Sequence, residues 1–121
     1  MTTVEMLEKI LNGINNIGGV EASAVASRDG LLICSTIPKK QHAETFVAMS
    51  ATMMGAAETA TTELGKGIPD RIIVESPNGK IIGTGAGQKA LLLVMTHPNA
   101  GLGLVLIEMA KAAEQIKQIL G

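Results

Sequence analysis

The sequence predicts an α+β fold: an antiparallel five-stranded sheet with helices on its faces, built as a single domain over residues 1–121. Three observations lead there. Apolar spacing along the chain changes in the order helix, hairpin, helix, three-strand meander, helix. Successive strands in the hairpin and the meander are joined by only a few residues, too few for the crossover that parallel neighbours need. The run Phe46–Thr62 (FVAMSATMMGAAETATT) carries one charged residue, Glu58, so it is a helix covered on more than one side.

The first element starts at a capping box, Thr2-Thr3-Val4-Glu5, in which a threonine and a glutamate three residues on satisfy each other's backbone donors. Val4, Leu7, Leu11 and Ile14, with Ile10 and Ile17 beside them, form an amphipathic stripe that Gly18 and Gly19 end. Val20–Ser27 and Leu31–Thr36 follow as two strands, and Arg28-Asp29-Gly30 between them supplies the Asp-Gly chemistry of a hairpin turn. Pro38 and the Lys39-Lys40 pair lead into the long helix, whose start is poorly marked and which stops near Gly65 and Gly67, before Pro69. Arg71–Ser76, Lys80–Gly85 and Ala90–Thr96 are three further strands, with Pro77-Asn78-Gly79 and Ala86-Gly87-Gln88-Lys89 as their turns. Leu102, Val105, Leu106, Met109, Ala113, Ile116 and Leu120 then keep helical spacing, with Asn99 the candidate N-cap.

The long run approaches the length of a membrane span, but its composition argues against one. Seven of its seventeen residues are Ser, Thr, Gly or Glu and five are Ala, with no Lys or Arg close by as an anchor. Wound at about 100° per residue, it separates two sides. Phe46, Met49, Met53, Ala57, Ala60 and Leu64 form a large-residue stripe suited to the sheet. Ala48, Ala51, Thr52, Gly55, Thr59 and Thr62 form a small-residue side that lets another backbone come close. In so short a chain the expected supplier of that backbone is a second copy, because a two-fold contact needs only one self-complementary patch.

Composition narrows the function. With one Phe, no Trp or Tyr and a net charge of −1, the chain offers neither aromatic platforms nor a basic stripe, which argues against nucleic-acid binding. The N-terminus lacks a basic region followed by an apolar stretch, so the expected location is the cytoplasm, without direct membrane insertion. A single cysteine, Cys34, provides no disulfide, and with only His42 and His97 to join it the metal case is weak. No cofactor is expected.

Candidate chemistry is sparse. Gly83-Thr84-Gly85-Ala86-Gly87 invites comparison with a phosphate loop, but it joins two strands, whereas a dinucleotide fingerprint opens a helix; a strand end and hairpin turn accounts for it better. Cys34 with His42 or His97 could be imagined as nucleophile and base, yet a lone cysteine in the apolar stretch LLICST more often serves as a small buried hydrophobe. Of the two arginines, Arg28 and Arg71, Arg28 is placed at a hairpin tip from which it could reach a partner. Glu58 either pairs across an interface, marks a partner surface or is simply exposed.

With these elements in order, the chain resembles the roadblock / dynein light chain family over nearly its full length. The resemblance is carried by LEKILNGINNIGGVEASAVASRDGLLICS, AETFVAMSATMMGAAETATTELG, RIIVESPNGKIIGTGAG and ALLLVMTHPNAGLGLVLIEMAKAAEQI, in that order and spacing. It implies a roadblock, profilin-like α/β/α sandwich with the middle helix on one face of the sheet and the terminal helices on the other. It also implies a homodimer formed through that helix and the third strand, with Ala48, Ala51, Thr52, Gly55 and Ile73 in the contact. Family members are non-catalytic regulators or scaffolds of small Ras-like GTPases, some of them GTPase-activating partners, or light chains of dynein motors. By that resemblance Glu58 and Thr62 face the GTPase, and Arg28 is a further partner-binding candidate. Two alternatives stand beside it: a small-molecule or nucleotide-sensing module using the Gly83–Gly87 turn, and a structural, light-chain-like subunit of a larger assembly.

Overall fold

A computed structural model describes residues 1–121. The chain runs α1 (Thr3–Asn15), β1 (Val20–Ser27), β2 (Leu32–Ser35), α2 (Lys40–Glu63), β3 (Arg71–Ser76), β4 (Gly79–Ala86), β5 (Ala90–Thr96) and α3 (Leu102–Leu120). The five strands form one sheet in the order β2-β1-β5-β4-β3, every neighbouring pair antiparallel. The last strand therefore lies in the middle. It pairs with β1 from Val20↔Thr96 to Ser27↔Ala90 and with β4 from Lys80↔Thr96 to Ala86↔Ala90.

Both faces of β5 are covered, which explains why ALLLVMT is an unbroken apolar run and not an alternating one. On one face α1 and α3 pack together: Leu7, Leu11 and Ile14 of α1 meet Val105, Met109 and Ile116 of α3 over Val25, Leu92 and Val94. On the other, α2 sets Val47, Ala51 and Met54 against Ala24, Ala26, Leu91 and Leu93. This is the α+β layering expected of a roadblock-type sandwich. Fully burying side chains of this size stabilises the fold by about 1.5–3 kcal/mol each before the entropy of ordering them is counted.

Local signals account for the ends of several elements. The capping box at α1 forms in both directions: Glu5 N donates to Thr2 Oγ1 and Thr2 N donates to Glu5 Oε1, each at 3.1 Å. Gly19, at φ +90°, passes so close to Ala100 that a Cβ there would lie 2.6 Å from Ala100 Cα, so glycine is required on both counts.

Several boundaries differ from expectation, among them both ends of β4, which runs Gly79–Ala86 and not Lys80–Gly85. Helix α2 begins at Lys40, six residues before the Phe46–Thr62 run, and Lys39 at its cap makes no side-chain hydrogen bond, so no capping signal marks the start. Asn99 is not the N-cap of α3. It belongs to the turn in which Ala100 N donates to His97 O, and Gly101 holds the cap position without a side-chain bond. Strand β2 is shorter than Leu31–Thr36 because Leu31 sits in the turn, 68% exposed.

Candidate functional site

The long helix has a different rotation about its axis from the one its composition suggests. Its buried line is Ala43, Val47, Ser50, Ala51 and Met54, about 100° around the helix from the large-residue stripe expected to face the sheet. Met49 is instead 56% exposed and Leu64 74% exposed. The physical cause lies in the sheet. The strands beneath α2 present small residues, Ala24 and Ala26 from β1 and Gly83 from β4, beside Leu91 and Leu93 of β5, and Val47, Ala51 and Met54 pack against this surface. The β1–β2 turn also closes on the helix: a Cβ at Gly30 would lie 3.4 Å from both Ala48 Cα and Ala51 Cβ.

Two of the expected contact residues also pack within their own protomer. Ala51, 9% exposed, packs on its own sheet, and Ala48 is half-buried beneath the Gly30 turn, so their smallness serves an intramolecular approach. Thr52 and Gly55 do lie on the open side, together with Met49, Ala56 and Thr59. Thr52 Oγ1 donates back to Ala48 O at 2.9 Å and Thr62 Oγ1 to Glu58 O at 2.8 Å, so these hydroxyls are satisfied within the helix and present mainly methyl groups outward. Met49 and Ala56 escaped sequence reasoning. The signal that could have found them is the set of small strand residues, Ala24, Ala26 and Gly83, which leaves room for Val47 and Met54 as the inner helix line.

Arg28 and Glu58 come together. Arg28 Nη2 donates to Gly87 O at 2.6 Å, and Arg28 Nη1 stands 3.8 Å from Glu58 Oε2. The side chains are 32% and 35% exposed, so the ion pair itself contributes under about 1 kcal/mol. The hydrogen bond to the β4–β5 turn fixes the guanidinium.

The edge of the sheet completes the site. Strand β3 pairs only with β4, leaving its outer backbone edge unpaired, and Ile73 on it is 38% exposed. The glycine tract behind it is a strand and a turn, as expected. Gly83 lies within β4, where a Cβ would come 3.1 Å from Leu93 Cδ2, and Gly87 turns the chain at φ +77°.

The remaining candidates stay apart. Cys34 is buried on β2, and burial, helped by the charge of Glu8, pushes its thiol up to about 11. A thiol held neutral in this way is a poor nucleophile. His42 is exposed at the start of α2, and exposed His97 lies 4.0 Å from Glu21. No group of three or more His, Cys, Asp and Glu side chains is arranged to hold a metal ion, and no helix is long and apolar enough to cross a membrane.

Comparison with known proteins points in one direction. The sequence pattern described as Roadblock/LC7 domain matches residues 6–96. A protein of Methanocaldococcus jannaschii, described as uncharacterized, is 37% identical over 112 residues, which cover 93% of this chain and 97% of that protein. A solved Roadblock/LC7 domain from Streptomyces avermitilis superposes with a TM-score of 0.88 at 18% identity, covering 93% of this chain and 95% of that one. MglB in a tetrameric arrangement superposes at 0.89 with 20% identity, covering 98% and 90%. At such identities the two solved structures speak for the fold.

Proposed function

Because the chain belongs to the Roadblock/LC7 domain family, we propose that it is a non-catalytic, homodimeric, cytoplasmic module that binds a small Ras-like GTPase and regulates or scaffolds it. The observation that carries this reading is the pairing of two unpartnered features: the open side of α2, uncharged from Thr45 to Ala57, and the free edge of β3. An unpaired edge strand invites a second strand, and in a two-fold arrangement the β3 of a second copy would join the sheets edge to edge. Thr52, Gly55 and Ile73 would lie in that contact, with Met49 added. The tetrameric arrangement of MglB is in keeping with self-association in general.

The GTPase role rests on family membership, and the sparse chemistry of the chain suits a protein that acts through surfaces. A pull-down with each small GTPase encoded beside the gene, loaded with GDP or GTP, tests it together with single-turnover GTP hydrolysis. Nucleotide-dependent capture is expected, with faster hydrolysis if the protein is an activating partner. Capture that ignores the nucleotide would favour a structural subunit, and no capture of any of them would sink the reading.

A further inference from the structure

Strand β4 runs two residues beyond β3. Their ladder ends at Arg71↔Thr84, whereas Gly85 and Ala86 pair only with Leu91 and Ala90 of β5. Past that end the sheet edge opens into a notch of about 360 Å³ between α3 and the connection from α2 to β3. Both arginines of the chain, Arg28 and Arg71, line this one space, and so do Asp70 and Glu114.

Arg28 is built into the notch. Nη2 is fixed on Gly87 O, and the guanidinium fits because residue 85 is glycine: a Cβ there would lie 2.6 Å from Nη2. Its other donors are not spent. Nη1, on a side chain 32% exposed, is too far from Glu58 for a hydrogen bond; Nε is unpaired as well but buried out of a ligand's reach. Donors left in that condition cost free energy until an acceptor arrives. The carboxylates are uncommitted as well. Glu114 accepts a bond from Gln118 Nε2 at 3.0 Å, and neither Glu114 nor Asp70 forms an ion pair.

Two guanidinium groups and two carboxylates around one small space select for a ligand of both signs. A plain anion is attracted by the arginines and repelled by the acids, and a plain cation meets the reverse. We propose that the notch binds a small zwitterion of the free α-amino acid class, its carboxylate held by Arg28 and Arg71 and its ammonium by Asp70 and Glu114. The volume is near the small end of ligand sites, sufficient for an amino acid and too small for a dinucleotide. This goes beyond GTPase binding and does not depend on it.

The test uses isotope-labelled protein alone, so its outcome leaves the GTPase reading untouched. Glycine, L-valine, L-glutamine, acetate, methylammonium and inorganic phosphate are titrated separately while the amide signals of Asp70, Gly85, Ala86 and Gly87 are followed by NMR. At least one amino acid is expected to give saturable shifts, about tenfold tighter than any ion of single sign. Arg71→Gln and Glu114→Gln, both at exposed positions, are each expected to weaken it about tenfold by removing a charge-assisted bond, with the rest of the amide spectrum reporting an intact fold. Silence from all three amino acids overturns the proposal. So does phosphate binding as tightly as an amino acid, or wild-type affinity in either variant.

Discussion

Gly55→Arg and Ala51→Glu separate two roles that the sequence merges. A Cβ at Gly55 meets nothing within 4 Å in its own protomer, and arginine is a better helix former than glycine by about 0.8 kcal/mol. The isolated protomer should therefore be as stable as wild type or slightly more so. In a two-fold contact through the open side of α2, however, the substitution introduces a guanidinium from each copy. Burying each without a partner costs about 2 kcal/mol or more, so about 4 kcal/mol for the pair, or about a thousandfold in dimer dissociation. Ala51→Glu acts elsewhere. Its carboxylate is forced between α2, the sheet and the Gly30 turn, and should destabilise the protomer by about 3 kcal/mol or more. Sedimentation over a range of concentrations gives the association state, and urea unfolding of dilute protein gives the protomer stability. Wild type should be a dimer, Gly55→Arg a stable monomer and Ala51→Glu poorly folded. A Gly55→Arg dimer as tight as wild type would refute the open side as interface, and a normally stable Ala51→Glu would refute the assigned rotation of α2.

Three further outcomes are expected. Ser50 Oγ is buried on the sheet side of α2 without a hydrogen-bond partner, so Ser50→Ala should raise stability by about 1–2 kcal/mol, and a lower urea midpoint would show that the hydroxyl has a partner after all. A Cβ at Gly83 would stand 3.1 Å from Leu93 Cδ2 and 3.3 Å from Ile72 Cγ1, so Gly83→Val should cost about 1–3 kcal/mol by overpacking. An unchanged midpoint would mean that the space between β4 and α2 is slack. The Cys34 thiol is raised from 9.0 to about 11 by burial, so the folded state holds its proton more tightly than the unfolded state. Its contribution is full below pH 9 and lost as pH rises through 11, and this decline should be absent in Cys34→Ser; equal slopes in both proteins would refute it.

Local chemistry was legible and long-range placement was not. Thr2 and Glu5 stand three residues apart and cap α1 as the sequence predicts, and the Asp29-Gly30 turn requires its glycine at φ +87°. The ends of β3 and β5 also fall where expected. By contrast, nothing within the sequence of β5 says that it inserts between β1 and β4, because that depends on a pairing as distant as Val20↔Thr96. The distribution of helices between the two faces came from family resemblance alone. The meeting of Arg28 with Glu58, thirty residues apart, likewise has no local signal.

The misplaced rotation of α2 has the most consequence for function. Reading large residues as inward assumes that the surface beneath a helix has hollows to be filled. Here the room left by Ala24, Ala26 and Gly83, beside Leu91 and Leu93, is filled by Val47, Ala51 and Met54, a line about 100° around the helix from that stripe. The larger Met49 is thereby left facing outward among Thr52, Gly55 and Ala56, while Glu58, the one charge in the Phe46–Thr62 run, turns back toward Arg28. A partner on this side of the helix thus meets methyl, thioether and backbone groups, and association there should vary little with salt. The arginines lie instead at the notch by the end of β3, so the two surfaces select by different physics and can be altered independently.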